Sequence, residues 1–363
     1  MAFTAADVKA LREKTNVGMM DCKKALQEAD GDMDKAVEIL REKGLASAAK
    51  KAGRIAAEGV IGVYTDANAS ALVELNCETD FVGKNPDFIA LANQIAKTVV
   101  EKKPADLDAL SAATIADGSV SVADAIQELF LKIRENLKLR RFALVEGTAV
   151  SYIHGGGSVG VLVAFDTDAA DKPEFAEMGK NIAMQVAAMS PEYVSQDEIS
   201  ADELAKMKNI TIESALNKPE SLPKPILMDV IAKTIAAGKW EQKDIDAYEA
   251  EKNNKFLFNF LSEEAKAALA ETAVAGKDEY VANPIFGKLT EGRINKQIKE
   301  ICLLDQAFVR SDLFEGSVGG YIGNVAKSIG ATIAVKSFTR FAKGEGIEKK
   351  ADDFAAEVAS MVK

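Results

Sequence analysis

The chain has 363 residues, of which 48% are apolar and 28% are charged. This is the composition of a folded globular protein of about two to three domains, and it excludes a chain that is disordered throughout. The 45 basic residues are outnumbered by 56 acidic ones, giving a formal net charge of −11, which argues against binding to nucleic acid or to an anionic membrane because like charges repel.

The first 45 residues carry the pattern of three short helices. Thr4 predicts a capped start for the first of them, because its hydroxyl can accept a hydrogen bond from a free backbone amide. Asp32 is expected to cap the third helix, and Gly44 to end it. Residues 46–58 are basic and indicate a linker.

The next part of the chain mixes strand and helix patterns, which predicts an α+β fold. Strands are expected at residues 59–65, 71–77, 141–152, 159–165 and 331–341. Helices are expected at residues 86–101, 122–136, 174–188 and 352–362.

Residues 191–308 are almost entirely helical in pattern. Residues 202–217 and 288–303 are expected to form two arms of an antiparallel helical pair. Residues 221–284 are interpreted as an insertion at the tip of that hairpin, where added chain costs little loop entropy.

The glycine-rich stretch from His154 to Gly160 matches both a dinucleotide-binding pattern and a nucleophile-elbow pattern. Both patterns need a strand before and a helix after, whereas here a strand-like run follows. The stretch is therefore interpreted as a β-hairpin turn, in which glycine supplies positive φ angles. The nearby basic cluster of Lys138, Arg140 and Arg141 is expected to be a solvated face.

The remaining chemistry is sparse. The three cysteines, Cys22, Cys77 and Cys302, are far apart and in no metal-ligand spacing, which predicts free thiols in a reducing, cytoplasmic compartment. The N-terminal sequence is unlike a signal peptide, and no apolar run is long enough to cross a bilayer. We therefore expect a protein that is not an enzyme in the bond-making sense and that has no cofactor and no metal site.

Two stretches have features of a contact surface. Met19 and Met20 lie about 100° apart on a helix, so that both cannot face the core, and an exposed methionine suits an adaptable contact; the alternative is that both lie under the linker. Phe81 follows Asp80 where the chain leaves a predicted strand. It could be a projecting wedge for a partner's seam, or it could fill the core of its own domain.

These stretches resemble the elongation factor Ts family, the guanine nucleotide exchange factors of elongation factor Tu. The motifs that carry the resemblance are residues 11–26, 74–82, 154–155, and 344–349 with 353–358. The sequence departs from the usual pattern at Asn16 and Arg134, where glycine is common, and at Gly83, where alanine or serine is common.

The resemblance implies a particular architecture. Its parts are an N-terminal three-helix ubiquitin-associated-like bundle (residues 1–45), a linker (46–58), a core of two α+β subdomains with antiparallel sheets (59–147, and 148–190 with 304–345), a protruding helical hairpin (191–303) with a helical insertion (about 221–284), and a C-terminal helical module (346–363).

The resemblance also implies a partner and site residues. The partner is elongation factor Tu, which itself holds the GDP or GTP. Residues implied in dislodging Mg²⁺ from that partner are Thr79, Asp80, Phe81 and Val82. Further partner-binding residues implied are Met19, Met20, Lys23 and His154. Two alternatives from other classes stay open, namely an adaptor whose bundle binds ubiquitin-like or peptide partners, and a small-molecule enzyme that uses the His154–Gly160 turn.

Overall fold

The computed structural model describes residues 3–15 and 17–348. This part of the chain is α+β, with fifteen α-helices, four short 3-10 helices and two three-stranded antiparallel sheets. It divides into two compact units, the first comprising the residues up to Ser190 with 308–316 and those from Gly320 on, and the second residues 191–307 with 317–319. None of the helices in the described residues has the length and apolar character that crossing a bilayer requires. The predicted last helix, residues 352–362, lies outside the described residues.

The N-terminal helices form as the sequence predicts. They are α1 (Ala5–Thr15), α2 (Met19–Glu28) and α3 (Met33–Lys51). The hydroxyl of Thr4 accepts from the backbone N–H of Asp7 over 3.4 Å, and Asp32 accepts from the first backbone amides of α3. Both predicted caps are therefore confirmed.

The expectation that Gly44 ends the third helix is wrong, because α3 continues to Lys51. Gly44 is buried against helix α7 (Val122–Ile133), and a Cβ built on it would lie 2.3 Å from Cδ2 of Leu131. The glycine allows two helices to approach closely. Leu131 consequently joins the apolar core of the bundle, and the first residues of the predicted linker are helical.

The first sheet has its middle strand fully covered. Its strands are β1 (Glu58–Thr65), β2 (Ala69–Cys77) and β3 (Lys138–Glu146), in the order β1-β2-β3. Every residue of β2 is buried. Three further helices belong to this part of the chain: α4 (Asp80–Gly83), α5 (Pro86–Lys102) and α6 (Leu107–Ala112). Phe88 and Ile95 of α5 pack against β2 in the main core.

The second sheet corrects one strand prediction. Its strands are β4 (Ala149–His154), β5 (Val159–Thr167) and β6 (Ile333–Ala342). Residues 141–152 are not one strand, because Gly147, with φ +87°, separates β3 from β4 and sends the chain into the other sheet. In the sequence, helix α8 (Pro173–Met189) precedes the second unit and helix α15 (Val318–Ile329) follows its main segment. Ile61 and Leu72 of the first sheet meet Leu162 of the second in one apolar cluster.

The second unit is helical. Its α-helices are α9 (Ala201–Leu216), α10 (Lys224–Ala236), α11 (Gln242–Glu251), α12 (Glu263–Ala275), α13 (Lys277–Val281) and α14 (Pro284–Ile301). The predicted pair of arms corresponds to α9 and α14, which pack together. The segment between them has a core of its own, in which the indole of Trp240 donates to the carbonyl of Ala265 over 3.0 Å.

Candidate functional site

A short turn carries the predicted wedge. We call residues 79–83 the Phe81 turn; it begins where β2 ends, and Thr79 caps its single helical turn, α4. Val82 and Gly83 are buried beneath it, whereas 83% of Phe81 is exposed. The interpretation in which Phe81 fills the core of its own domain is therefore wrong, because the ring stands on the surface.

The Phe81 turn rests directly on backbone. A Cβ built on Gly83 would lie 3.1 Å from the carbonyl oxygen of Gly59, and one built on Gly59, whose φ is +144°, would lie 2.2 Å from the carbonyl oxygen of Leu75. The turn, β1 and β2 are thus stacked without space for side chains between them. Gly83, although unusual for the family that the sequence resembles, faces this stack and lies away from the exposed side of the turn.

Asp80 presents a charge beside the exposed ring. Its carboxylate lies 2.6 Å from Nζ of Lys84, and this hydrogen bond lowers the pKa of Asp80 from its ordinary value. Asp80 is therefore ionised at neutral pH. An exposed pair of this kind contributes little to stability, so that either partner of the pair can exchange its contact for one with another molecule.

The loop after α7 binds the Phe81 turn from the other side. Helix α7 ends at Ile133, three residues before the predicted end, because Arg134 adopts a left-handed conformation with φ +65°. Glu135 then accepts two hydrogen bonds from Thr79, one from its backbone N–H over 3.0 Å and one from its hydroxyl over 2.7 Å. The backbone N–H of Asn136 donates to Glu78 over 2.6 Å.

Met19, Met20 and Lys23, which we call the methionine face, lie together on the surface of α2. Met19 is 44% exposed and Met20 64% exposed, and Lys23 is also exposed. The alternative in which both methionines are covered is therefore wrong. Asp21, on the same helix, accepts a 2.7 Å hydrogen bond from the guanidinium of Arg134.

The glycine-rich stretch is a β-hairpin turn between β4 and β5, as the sequence predicts. We call residues 154–160 the His154 turn. The imidazole Nδ1 of His154, which is exposed, lies 3.0 Å from the hydroxyl of Tyr152. The hydroxyl of Ser158 donates to the carbonyl of Gly155 over 2.8 Å. Each side chain is bonded within the hairpin to a different group, so that histidine does not activate serine as a nucleophile elbow requires.

The two turns share a support. The backbone N–H of Ile61 donates to the carbonyl of Gly157 over 2.8 Å, and a Cβ built on Gly157 would lie 2.2 Å from Cγ2 of Val60. Since Gly59 carries the Phe81 turn, three consecutive residues of β1 support both turns.

A buried ion cluster lies behind this support and corrects another expectation. Arg140 and Arg141 are half-buried and bind the fully buried carboxylate of Glu74, over 2.9 Å and 2.5 Å respectively. Only Lys138 of the predicted solvated cluster is exposed. Burial alone would raise the pKa of Glu74, but hydrogen bonds from the Gly344 amide and from both arginines outweigh it and lower the pKa.

Cys77 lies under the Phe81 turn. Its thiol donates to the carbonyl of Thr79 over 3.1 Å, and the residue is fully buried. Burial, aided by the nearby carboxylates of Glu135 and Glu58, raises the pKa of this thiol to about 12. The thiol is therefore protonated and inert while the turn is closed.

The structure brings together most of the residues that the sequence singles out. Thr79 to Val82 form one turn, the methionine face is connected to that turn through the loop after α7, and His154 lies in the hairpin turn that β1 also contacts. Sequence reasoning missed Arg134 and Glu135 as contacts of these surfaces. The only signal at those positions was the unusual arginine itself.

The chain is similar in sequence to proteins of one known family. A family model described as "Elongation factor TS" matches residues 78–242 and 224–345. Elongation factor Ts of Syntrophotalea carbinolica is 39% identical, with all of both chains covered. Elongation factor Ts of Clostridium botulinum is 40% identical, over 98% of this chain and 97% of that protein, and the one of Clostridium perfringens is 38% identical over 99% of both.

Proposed function

The chain belongs to the elongation factor Ts family of translation elongation factors, and on that premise we propose that it binds elongation factor Tu in its GDP-bound form and accelerates the release of GDP. In this role it acts on another protein's bound nucleotide and transforms no substrate of its own. A cytoplasmic location follows from that role, because elongation takes place there.

A GTPase holds its nucleotide by charge compensation. Backbone amides of the phosphate-binding loop and a Mg²⁺ ion neutralise the phosphates. An exchange factor that displaces the groups around the ion leaves the diphosphate less compensated, so that GDP dissociates faster. Such a factor needs an insert that reaches into the partner and a rigid base that keeps the insert from being pushed back.

The exposed ring of Phe81 on its supported turn is the observation that carries the proposal. An aromatic side chain that is 83% exposed on a soluble surface is costly to solvate, and burying it in a partner's seam recovers that free energy. We assign Phe81 as the insert. Asp80, ionised beside it, perturbs the polar groups around the ion, while Thr79 caps the turn and Val82 anchors it.

The remaining surfaces hold the insert in place. The methionine face offers an apolar, adaptable contact with a positive charge at Lys23. His154 adds a polar contact from the neighbouring turn. We propose that these residues contribute mainly to binding and that the Phe81 turn contributes mainly to the rate of GDP release.

The domain division proposed for the chain is the one that the resemblance implies. The bundle is ubiquitin-associated-like, the two sheets belong to two core subdomains, and residues 191–303 form the hairpin with its inserted helical core. The packing of α9 on α14 and the separate core around Trp240 support the last part of that division.

The decisive experiment is stopped-flow release of a fluorescent GDP from elongation factor Tu, with and without this protein. We expect a large acceleration by the native chain. Phe81→Ala should reduce the maximal release rate by about a hundredfold, because an interface anchor of this kind is worth a few kcal/mol. Native-like release by that variant would contradict the assigned role.

Phe256 provides a matched control, since it is another exposed phenylalanine, 62% accessible, in the second unit. Phe256→Ala removes the same ring from a surface without the supporting turn. We expect release rates within about twofold of the native chain. Both substitutions should leave the melting temperature nearly unchanged, because exposed side chains contribute little to stability.

Binding and exchange are also linked thermodynamically. If this protein weakens the affinity of elongation factor Tu for GDP by some factor, GDP must weaken the affinity for this protein by the same factor. Titration calorimetry of this protein into elongation factor Tu with and without excess GDP measures one factor, and titration of GDP with and without an excess of this protein measures the other. Unequal factors would contradict a single ternary complex.

A further inference from the structure

The loop after α7 touches both surfaces that the exchange proposal uses. We call Arg134, Glu135 and Asn136 the bracket. On one side Arg134 donates to Asp21 of the methionine helix over 2.7 Å. On the other side Glu135 accepts both hydrogen bonds of Thr79 in the Phe81 turn.

We propose that the bracket sets the spacing between the methionine face and the Phe81 turn, with Arg134 and Glu135 acting as positioning residues for nucleotide exchange. The proposal rests on the proposed function. It assigns to these two side chains a role that neither the sequence motifs nor the comparisons give them.

Three observations indicate that the bracket holds the two surfaces at a fixed spacing. First, Arg134 adopts φ +65°, a conformation that costs a residue with a Cβ about 1–2 kcal/mol and that glycine adopts freely. Arg134 occupies this strained conformation while its side chain makes the contact to Asp21. A glycine here would keep the turn of the backbone but lose the contact.

Second, the bracket also binds the chain that leaves α3. The ammonium of Lys51 donates a hydrogen bond to the carbonyl of Arg134, and the side-chain amide of Asn136 donates one to the carbonyl of Arg54 over 2.8 Å. The segment between the bundle and the first sheet is thereby fixed at the same three residues. These bonds add to the packing of α3 against α7.

Third, Glu135 uses both oxygens on one residue. A carboxylate that accepts from the backbone N–H and the hydroxyl of Thr79 fixes the first residue of the helical turn in position and orientation. Phe81 lies two residues further on, so that the direction of its ring depends on this grip.

Two surfaces on one rigid frame bind a partner more tightly than two that move independently, because the second contact then forms at a high effective concentration. The two ends of the bracket therefore predict different kinetic effects. Loss of the Arg134 end loosens the methionine face and weakens binding. Loss of the Glu135 end frees the wedge and lowers the maximal rate of GDP release.

The test measures the maximal rate of GDP release and the concentration of this protein that gives half of it. For Arg134→Gly we expect a half-saturating concentration raised about tenfold and a maximal rate within about threefold of native. For Glu135→Ala we expect a maximal rate lowered about tenfold and a half-saturating concentration within about threefold. Asp21→Asn should repeat the first effect, and Glu135→Gln, which keeps one acceptor, should be intermediate.

Glu146→Ala is the matched control. Glu146 is a carboxylate at the far end of β3 that pairs with Lys103 on the surface, and its loss changes the net charge as Glu135→Ala does. Native kinetics are expected. A general loss of folding would move both kinetic parameters together in both bracket variants, and that outcome, like native kinetics in both, would overturn the proposal.

A second measurement needs no partner. Spin labels on cysteines placed at Lys24 and Asp87, two exposed positions, report the spread of distances between α2, which carries the methionine face, and α5, which begins just after the Phe81 turn. The native cysteines are buried. Arg134→Gly should broaden the distribution and Glu146→Ala should not; an unchanged width would overturn the proposal. If the native chain fails to accelerate GDP release from elongation factor Tu, the proposed function is contradicted, while the distance measurement still tests the bracket.

Discussion

The Phe81 turn and the His154 turn stand on adjacent residues of one strand, yet they are held in different ways. Beyond their common contact with β1, the His154 turn is held by its own backbone, with three glycines at positive φ and Ser158 bonded to Gly155. The Phe81 turn is supported by side chains distant in sequence, since Glu135 lies 56 residues from Thr79. The His154 turn presents an imidazole that makes a single hydrogen bond. The Phe81 turn presents a phenyl ring on a base that other segments of the chain hold in place.

Under the proposed function, this difference implies that exposure alone does not mark a residue as the insert. Phe256 is exposed like Phe81, but its backbone is held locally, by a hydrogen bond from its N–H to Asn254. A wedge must resist the force of insertion, and the cross-braced turn can do so. The following predictions test whether the two turns depend on their supports as described.

The largest effect is expected behind both turns. Glu74→Gln removes the buried carboxylate from half-buried Arg140 and Arg141 and leaves Arg141 its ion pair with Glu345, which should destabilise the fold by about 4 kcal/mol. The pKa of Glu74 is lowered on folding, so that its contribution is present above the unfolded-state value of about 4.3 and is lost as the pH falls through the lower folded-state value. Urea unfolding at several pH values should show that acid-dependent step in the native chain and not in the variant.

A smaller effect is expected at the common support. Gly59→Ala places a Cβ 2.2 Å from a carbonyl oxygen at a φ that alanine rarely adopts, which should cost about 3 kcal/mol. Thermal unfolding measures the loss. The control is Gly287→Ala, in α14, whose Cβ would meet nothing within 4 Å and should stabilise by up to about 1 kcal/mol. Equal melting temperatures would show that β1 does not carry the turns as described.

The two turns can then be compared directly. Thr79→Ala removes a helix cap and the hydroxyl bond to Glu135, and should cost about 1 kcal/mol together with a slower release of GDP. Ser158→Ala removes one exposed hydrogen bond and should cost about 0.5 kcal/mol with little effect on release. GDP-release kinetics and thermal unfolding are measured for both variants. A larger effect of Ser158→Ala than of Thr79→Ala would contradict the comparison of the two turns.

The smallest effect is expected at His154. His154→Ala should leave the unfolding free energy within about 0.5 kcal/mol of native, because the side chain is exposed and its bond to Tyr152 is at the surface. Its affinity for elongation factor Tu, measured by calorimetry, should fall a few-fold. Loss of stability without loss of affinity would make His154 a structural residue instead.

Local features of the fold were predictable from the sequence. The caps at Thr4 and Asp32 and the glycine hairpin between β4 and β5 all form as predicted. In each case the residues that decide the conformation lie within a few positions of one another. Backbone preferences and short-range hydrogen bonds were therefore enough.

Features that depend on distant residues were not predictable. Gly44 looks like a helix end until Leu131 is packed on it, and Arg140 looks solvated until Glu74 is placed beneath it. The exposure of Phe81 was likewise left open by the sequence, because nothing near it indicates that Gly83 would pack on Gly59. The bracket was missed for the same reason, since its contacts join segments more than fifty residues apart.

The thiol of Cys77 gives the turn above it a natural reporter. Because the sulfur is buried beneath Thr79 and its pKa is raised to about 12, an alkylating reagent can react with it only when the Phe81 turn opens transiently. The rate of alkylation of Cys77 would therefore measure how often the Phe81 turn opens in the unmodified protein. A partner bound to this turn should suppress the alkylation.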